Sequence, residues 1–226
     1  MTTSDTYDKV LIALEQSAPS ARDEFVEWAR KQAIHEAIGR AEVEHLDEET
    51  NLAHSNKPLR FYAYAALWVP PEMAHDLVGA LPSDTHWFRL RDRLAFDRSA
   101  RPDEERVWAG VKKTTPWVPM EGVDTALWQG RYCNHGVIAK EYHATCVRYR
   151  QNLVLEGSIP KIGAVSELWW TNPEDLVDRF YLSAEAQQLL AFDTRGFIDV
   201  NRAYPTVTIQ ETLRIGPATI GTGGFV

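Results

Sequence analysis

The chain has 226 residues, 44% hydrophobic and 25% charged, a mixture that supports one large core or two small, closely packed ones. A net charge of −8, with no basic run, argues against a nucleic-acid partner, whose phosphates need Lys and Arg. No apolar run approaches the ~18 residues of a membrane span, and MTTSDTYDK lacks the basic and apolar regions of a signal peptide, so a cytoplasmic protein is expected.

In chain order, KVLIALEQ (9–16) is an aliphatic run that predicts a strand. An amphipathic helix over 17–40 follows, with Ser20 as cap and Phe25, Trp28, Gln32, His35 and Ile38 at three-to-four spacing, ending near Gly39. A strand at 41–47, a polar loop and a strand at 60–69 come next; Tyr62 and Tyr64 share one face of the latter. Pro70-Pro71-Glu72 opens a second helix, and HWFRLRDRLAFD (86–97) is a further strand whose His86-Trp87 could close one mouth of a barrel.

The second half repeats that order. A strand at 106–115 leads through PWVPMEGVD to Asp124 as N-cap of a helix over 125–146. Trp128, Tyr132, His135, Ala139, Tyr142 and Cys146 form one face of it. In the strand at 147–155, Tyr149, Gln151 and Leu153 share one face and Arg148, Arg150 and Asn152 the other. A strand at 164–171 carries Glu167 and Trp169. Asn172-Pro173-Glu174-Asp175 opens a helix to about 191, and a strand at 205–215 carries Glu211 beside Ile209 and Leu213.

Trp28 and Trp128, His35 and His135, and Ile38 and Ile138 each stand 100 apart, which supports a duplication. Each half reads as β-α-β-β-α-β, a ferredoxin-like unit with one bare sheet face. Two such units can bury those faces against each other, enclose a cavity between the sheets and keep their helices outside. The expected fold is therefore α+β: tandem ferredoxin-like repeats fused into a pseudo-dimeric barrel. A degenerate repeat is expected over 1–104, a second over 105–215 and a flexible Gly-rich tail over 216–226. A monomer and a homodimer both remain open.

Four features resemble the EthD-like branch of the dimeric α+β barrel superfamily over about 106–215. They are TTPWVPMEGVD, the helix with Tyr132-x-x-His135 and Tyr142-His143, YRQNLVL, and SELWWTNPEDLVDRFYLSAEAQQLLAFDTRGFID ending in TVTIQETLRI. The first half departs from that pattern, since its AEVEHLD does not match VRYRQN. The resemblance implies a cavity above the sheet, lined by aromatic and polar side chains, and a turn after the second helix that carries Asp193 and Phe197. Superfamily members include cofactor-free cyclases, lactone isomerases, lyases and quinol-forming monooxygenases, and some distant relatives bind haem. Fold alone does not choose among these.

The chemistry narrows the choice. His135 and His143 are eight apart, about 12 Å along a helix, too far to share one metal ion. No other His or Cys spacing reads as a ligand set, and no pattern suits haem propionates, so no metal and no cofactor are expected. Cys133 and Cys146, both placed on one helix, are expected to be reduced. No Ser sits in a nucleophile elbow. General acid–base chemistry remains, because His titrates near neutrality. The expected site has His135, Tyr132, Tyr142 and His143 as catalytic groups, facing the barrel cavity. Around the substrate are expected Tyr149, Trp128, Trp169, Glu211, Tyr62 and Tyr64. Glu211 and Glu167, on apolar strand faces, need partners; Glu211 could orient His135 or pair with Arg148 or Arg150. The expected function is a cofactor-independent lyase or isomerase for a small aromatic or apolar metabolite of a catabolic pathway. The alternatives are a non-catalytic carrier of a hydrophobic ligand and a cofactor-free monooxygenase.

Overall fold

The computed structural model describes residues 7–55, 57–99 and 108–214. The first half contains β1 (Asp8–Leu14), α1 (Pro19–Ala33), β2 (Arg40–Leu46), α2 (Glu48–His54), β3 (Ala63–Val69), α3 (Ala74–Gly79) and β4 (Thr85–Asp97). The second contains β5 (Val111–Pro119), α4 (Thr125–Tyr142), β6 (Arg148–Gly157), β7 (Ala164–Trp170), α5 (Pro173–Val177), α6 (Ala184–Thr194), β8 (Ile198–Ala203) and β9 (Thr206–Arg214). The strands run β7-β6-β4-β1-β3-β2-β9-β5-β8, and β5 also pairs with β7. That last pairing closes every strand except β8 into a ring. Each half keeps the ferredoxin-like order, β4-β1-β3-β2 and β9-β5-β7-β6, and the halves join through antiparallel β2–β9 and β4–β6 pairs. The fused α+β barrel expected from the sequence is the fold observed. The expected tail at 216–226 and the start of the 106–115 strand lie outside the described residues.

Alternation along the strands sorts the side chains into two environments. Val10, Ile12 and Leu14 point outward and pack with Phe25, Val26 and Ala29 of α1. Leu11 and Ala13 point inward, with Tyr64, Phe88, Val118 and Val165, and fill one part of the barrel. The rest of the interior is ionic. Lys9 pairs with Glu167, and Lys112 Nζ lies 2.6 Å from both Glu44 and Glu167. Thr114 and Thr208 donate to Glu44 at 2.7 and 3.0 Å, and Asn152 donates to Glu167 at 2.7 Å. Trp68 and Trp169 lie against Lys9 and Lys112, with ring centroids 5.0 and 4.6 Å from the ammonium nitrogens. Burial opposes the charge on Lys112, but Glu167 and Glu44 outweigh it and raise its pKa. Burial likewise opposes the charge on Glu167, which Lys112 and Lys9 hold well below the usual carboxylate range.

Among the described residues, this packing takes up space between the two sheets where a ligand cavity was expected. Alternation aims Lys9, Glu44, Lys112 and Glu167 inward, and they are stable there only by pairing with one another, which occupies the space. Other departures are local. α1 stops at Ala33, and Arg214 of β9 donates to the carbonyls of Ala33, His35 and Glu36 beyond it. His35 is thus an exposed turn residue, and its echo of His135 is one of sequence, not environment. The polar loop holds α2, capped by Asp47, whose carboxylate accepts from Thr50 N–H at 3.0 Å. α4 ends at Tyr142, so Cys146 follows the helix rather than lying on it; both cysteines are free thiols. The helix expected from 172 to about 191 is two helices, α5 and α6, and β8 was not foreseen.

Candidate active site between helix and sheet of the second half

α4 lies on the outer face of the second half's sheet. Asp124 caps it, accepting from Leu127 N–H at 3.1 Å. Its buried stripe is Trp128, Tyr132, His135, Gly136 and Ala139. Trp128 and Tyr132 pack edge-on against Trp117, at 5.6 and 4.8 Å between ring centroids. Tyr132 Oη donates to the Val165 carbonyl at 3.1 Å, and both Tyr132 and Tyr149 meet Ser166 Oγ, at 3.1 and 3.3 Å. Burial pushes the Tyr149 phenol up to about 12 and Tyr132 well above its ordinary value. Tyr132 therefore anchors α4 to the sheet, and both phenols stay neutral. Gly136 permits the close approach: a Cβ there would stand 2.7 Å from Gln151 Oε1 and 2.9 Å from Ala95 Cβ.

His135, one turn beyond Tyr132, is only 8% exposed. Its Nδ1 lies 2.7 Å from Asp193 Oδ2 near the end of α6, and Phe197 packs on the ring at 5.6 Å. A carboxylate accepts and does not donate, so Nδ1 carries a proton directed at Asp193, and Nε2 has no hydrogen-bond partner among the described residues. His143, at the C-terminal boundary of α4, is buried too. Its Nδ1 donates to the Phe180 carbonyl at 2.8 Å, and its ring stacks at 4.4 Å from Phe180 and 5.5 Å from Tyr181. Burial pushes its pKa down to about 3, more than the Phe180 carbonyl restores, so it stays neutral. The two histidines line one cavity of about 340 Å³, walled also by Phe180, Tyr181, Leu190 and Arg195.

The other expected site residues lie elsewhere. Tyr142 is half-buried and does not line this cavity; its carbonyl accepts Leu182 N–H at 2.9 Å and so tethers the segment that carries Phe180 and Tyr181. Trp169 and Tyr64 face the barrel interior, bonded to Gln210 at 2.9 Å and to Thr206 at 3.2 Å. Glu211 is on the outer face of β9, where it pairs with Arg30 at 3.1 Å and His45 at 3.3 Å, not with His135, Arg148 or Arg150. Tyr62 precedes β3 and lines two surface hollows of about 590 and 450 Å³. The larger hollow has less chemistry: Arg60 is paired with Glu15 at 3.2 Å and Lys57 with the Val200 carbonyl at 2.7 Å. Asp193, Phe180, Tyr181 and Arg195 were absent from the expected site. Only Asp193 carried a signal, through the EthD-like resemblance, which set it with Phe197 in a turn after the helix; the structure instead holds it in the last turn of α6.

Among the described residues no cluster of His, Cys, Asp and Glu is placed to hold a metal ion, and no helix is long and apolar enough to cross a membrane. No family model matches the sequence and no curated protein matches it. Solved structures do. An anthrone oxidase-like protein superposes with a TM-score of 0.58 at 10% identity, covering 98% of this chain and 99% of that one. A protein of Lactobacillus acidophilus NCFM, provisionally named a monooxygenase, gives 0.53 at 10% identity over 93% and 97% of the two chains. One from Fusobacterium nucleatum subsp. nucleatum, named in the same provisional way, gives 0.52 at 7% identity over 95% of each. At such identities the likeness establishes the fold, a fused barrel of the dimeric α+β type.

Proposed function

We propose that the chain is an EthD-like, cofactor-independent enzyme that moves a proton on a small aromatic or enolisable metabolite, with His135 as general base and acid. One observation carries this reading: the 2.7 Å His135–Asp193 contact on the wall of an aromatic-lined cavity. Asp193 fixes the imidazole tautomer and stabilises the imidazolium that forms when Nε2 takes a proton. The walls of Phe180, Tyr181 and Leu190 suit a flat apolar body, and α6 covers it. His143, held neutral, serves as a hydrogen-bond acceptor for the substrate rather than as the base. Isomerisation or elimination follows when the proton returns to another atom or leaves with a departing group.

The neighbours named as anthrone oxidase-like and as monooxygenases favour a second reading with the same first step. There the deprotonated, electron-rich substrate itself reduces oxygen. The two readings separate in an oxygen electrode: consumption matched to turnover supports the second, and full turnover under argon supports the first. For either, a panel of phenols and enolisable ketones finds a turned-over compound. His135→Gln should then lower kcat by roughly 10²–10⁴-fold, and Asp193→Asn should lower it while leaving the fold intact by circular dichroism. Undiminished kcat in His135→Gln would sink the assignment.

A further inference from the structure

The hydrogen-bonding state of the cavity specifies what its occupant must offer. Both imidazoles spend their Nδ1 protons on acceptors of the protein, Asp193 at 2.7 Å and the Phe180 carbonyl at 2.8 Å. Neither Nε2 has a hydrogen-bond partner among the described residues. That of His143, whose ring burial keeps neutral, is an acceptor, and that of His135 is one whenever the ring is ready to act as the base proposed above. Two acceptors on one small apolar cavity leave an occupant without donors at a disadvantage. Ammonium donors are disfavoured, because two cations stand around the cavity against the one carboxylate of Asp193. Arg195 lines the cavity, and Lys113 Nζ sits 4.4 Å from the centroid of the Phe180 ring, which is part of the wall. Hydroxyls made acidic by an aromatic ring fit that field.

Arg195 adds the second requirement. It follows the last turn of α6, where a cation suits the helix dipole, and it has no carboxylate partner among the described residues. The nearby carboxylate of Asp193 is turned to His135 Nδ1, at 2.7 Å, and makes no ion pair with Arg195. A charged guanidinium at the exposed rim of an apolar cavity, with no ion-pair partner among the described residues, is suited to an anionic group on the ligand. The cavity of about 340 Å³ is at the small end of the ~300–1,000 Å³ usual for small-molecule sites, which limits the body to one or two fused rings.

We infer that the occupant is a hydroxylated aromatic acid, with two ring hydroxyls donating to His135 and His143 and a carboxylate held by Arg195. This rests on the cavity being the working site proposed above, but it is tested by binding alone. The full chain is titrated calorimetrically with the isomeric dihydroxybenzoates, their dimethyl ethers, and the corresponding diols without the carboxylate. At least one dihydroxybenzoate should bind, and its dimethyl ether should bind about tenfold more weakly or worse. The diol should also bind more weakly, and Arg195→Gln should abolish that difference. His143→Phe should weaken the dihydroxy acid about tenfold and leave the dimethyl ether unchanged. A dimethyl ether that binds wild type as tightly as its diol acid overturns the inference without any variant. So does an Arg195→Gln protein that still prefers the acid, or failure of every dihydroxybenzoate to bind at millimolar concentration. Binding by these rules with no His135-dependent turnover would remove the catalytic reading and leave the inference standing. Failure of every dihydroxybenzoate to bind, beside His135-dependent turnover of another compound, would do the reverse.

Discussion

His135 and His143 share a cavity, yet their partners give them different work. His135 faces a carboxylate, whereas His143 faces a carbonyl and an aromatic wall. His54 resembles His143: burial, then the neighbouring Lys113, push its pKa down to about 3. Both rings are neutral in the folded protein and titrate near 6.5 once unfolded. The consequence for stability has a definite sign. Above pH 6.5 neither state binds these protons and nothing is lost. As pH falls below 6.5 the unfolded chain takes them up while the folded chain refuses them, so stability declines down to about pH 3. The slope approaches ~1.4 kcal/mol per pH unit for each ring. Urea denaturation at several pH values below 6.5 should show this decline, and His54→Gln should remove about half of the histidine part of the slope. A variant with the wild-type slope would show that His54 is not held neutral by the fold.

At the scale of elements, α4 sets the position of the chemistry, and two of its residues test that. Asp124→Ala removes the N-cap and should cost about 1 kcal/mol with little effect on kcat, because His135 is about three turns away. Gly136→Ala should do the opposite. Its Cβ would press on Gln151 and Ala95, lifting α4 from the sheet at a cost of roughly 1–3 kcal/mol and moving His135 out of reach of Asp193. Activity should therefore fall more than stability; equal losses would argue against a positional role for this glycine. The same elements show what could be read from the chain. α4 was legible because its stripe and cap are local, and the strands were legible from alternation. The break between α5 and α6 was not, since helical periodicity continues through it. It is imposed from outside, where Thr145 Oγ1 donates to the Arg179 carbonyl at 3.0 Å and Leu182 N–H to Tyr142 O at 2.9 Å. That fold-back brings Asp193 to His135 and Phe180 to His143. One half of each pair was thus visible in the sequence, and the other half depended on tertiary contacts. Glu211 failed for a related reason: strand alternation gave its face, but which helix covers that face is decided by how the two halves join.

The barrel as a whole is held shut by groups contributed from both halves. Lys9 and Glu44 come from the first, Lys112, Asn152 and Glu167 from the second, and every ion pair among them except Lys112–Glu167 crosses the join. Backbone pairing crosses it twice more, through β2–β9 and β4–β6. Separating the halves would expose two bare sheet faces and five polar groups fitted to one another, so neither half has a stable state of its own to fall back on. Unfolding should accordingly be one cooperative transition. Trp68 reports on the first half and Trp117 and Trp169 on the second, and single-tryptophan variants followed in urea should give coincident curves that also match circular dichroism. Two resolved transitions would show that the halves are independently stable. The ionic cluster then tests the origin of the cooperativity. Lys112→Met leaves Glu44 and Glu167 buried with fewer cations, which should cost about 3–5 kcal/mol, the range for breaking one side of a buried pair. Lys112→Met with Glu44→Gln removes an unpaired charge along with the ammonium, and should recover part of that loss. A double variant no more stable than Lys112→Met alone would mean that packing, rather than charge pairing, closes the barrel. Recovery would show that the charges, paired across the join, are what closes the barrel.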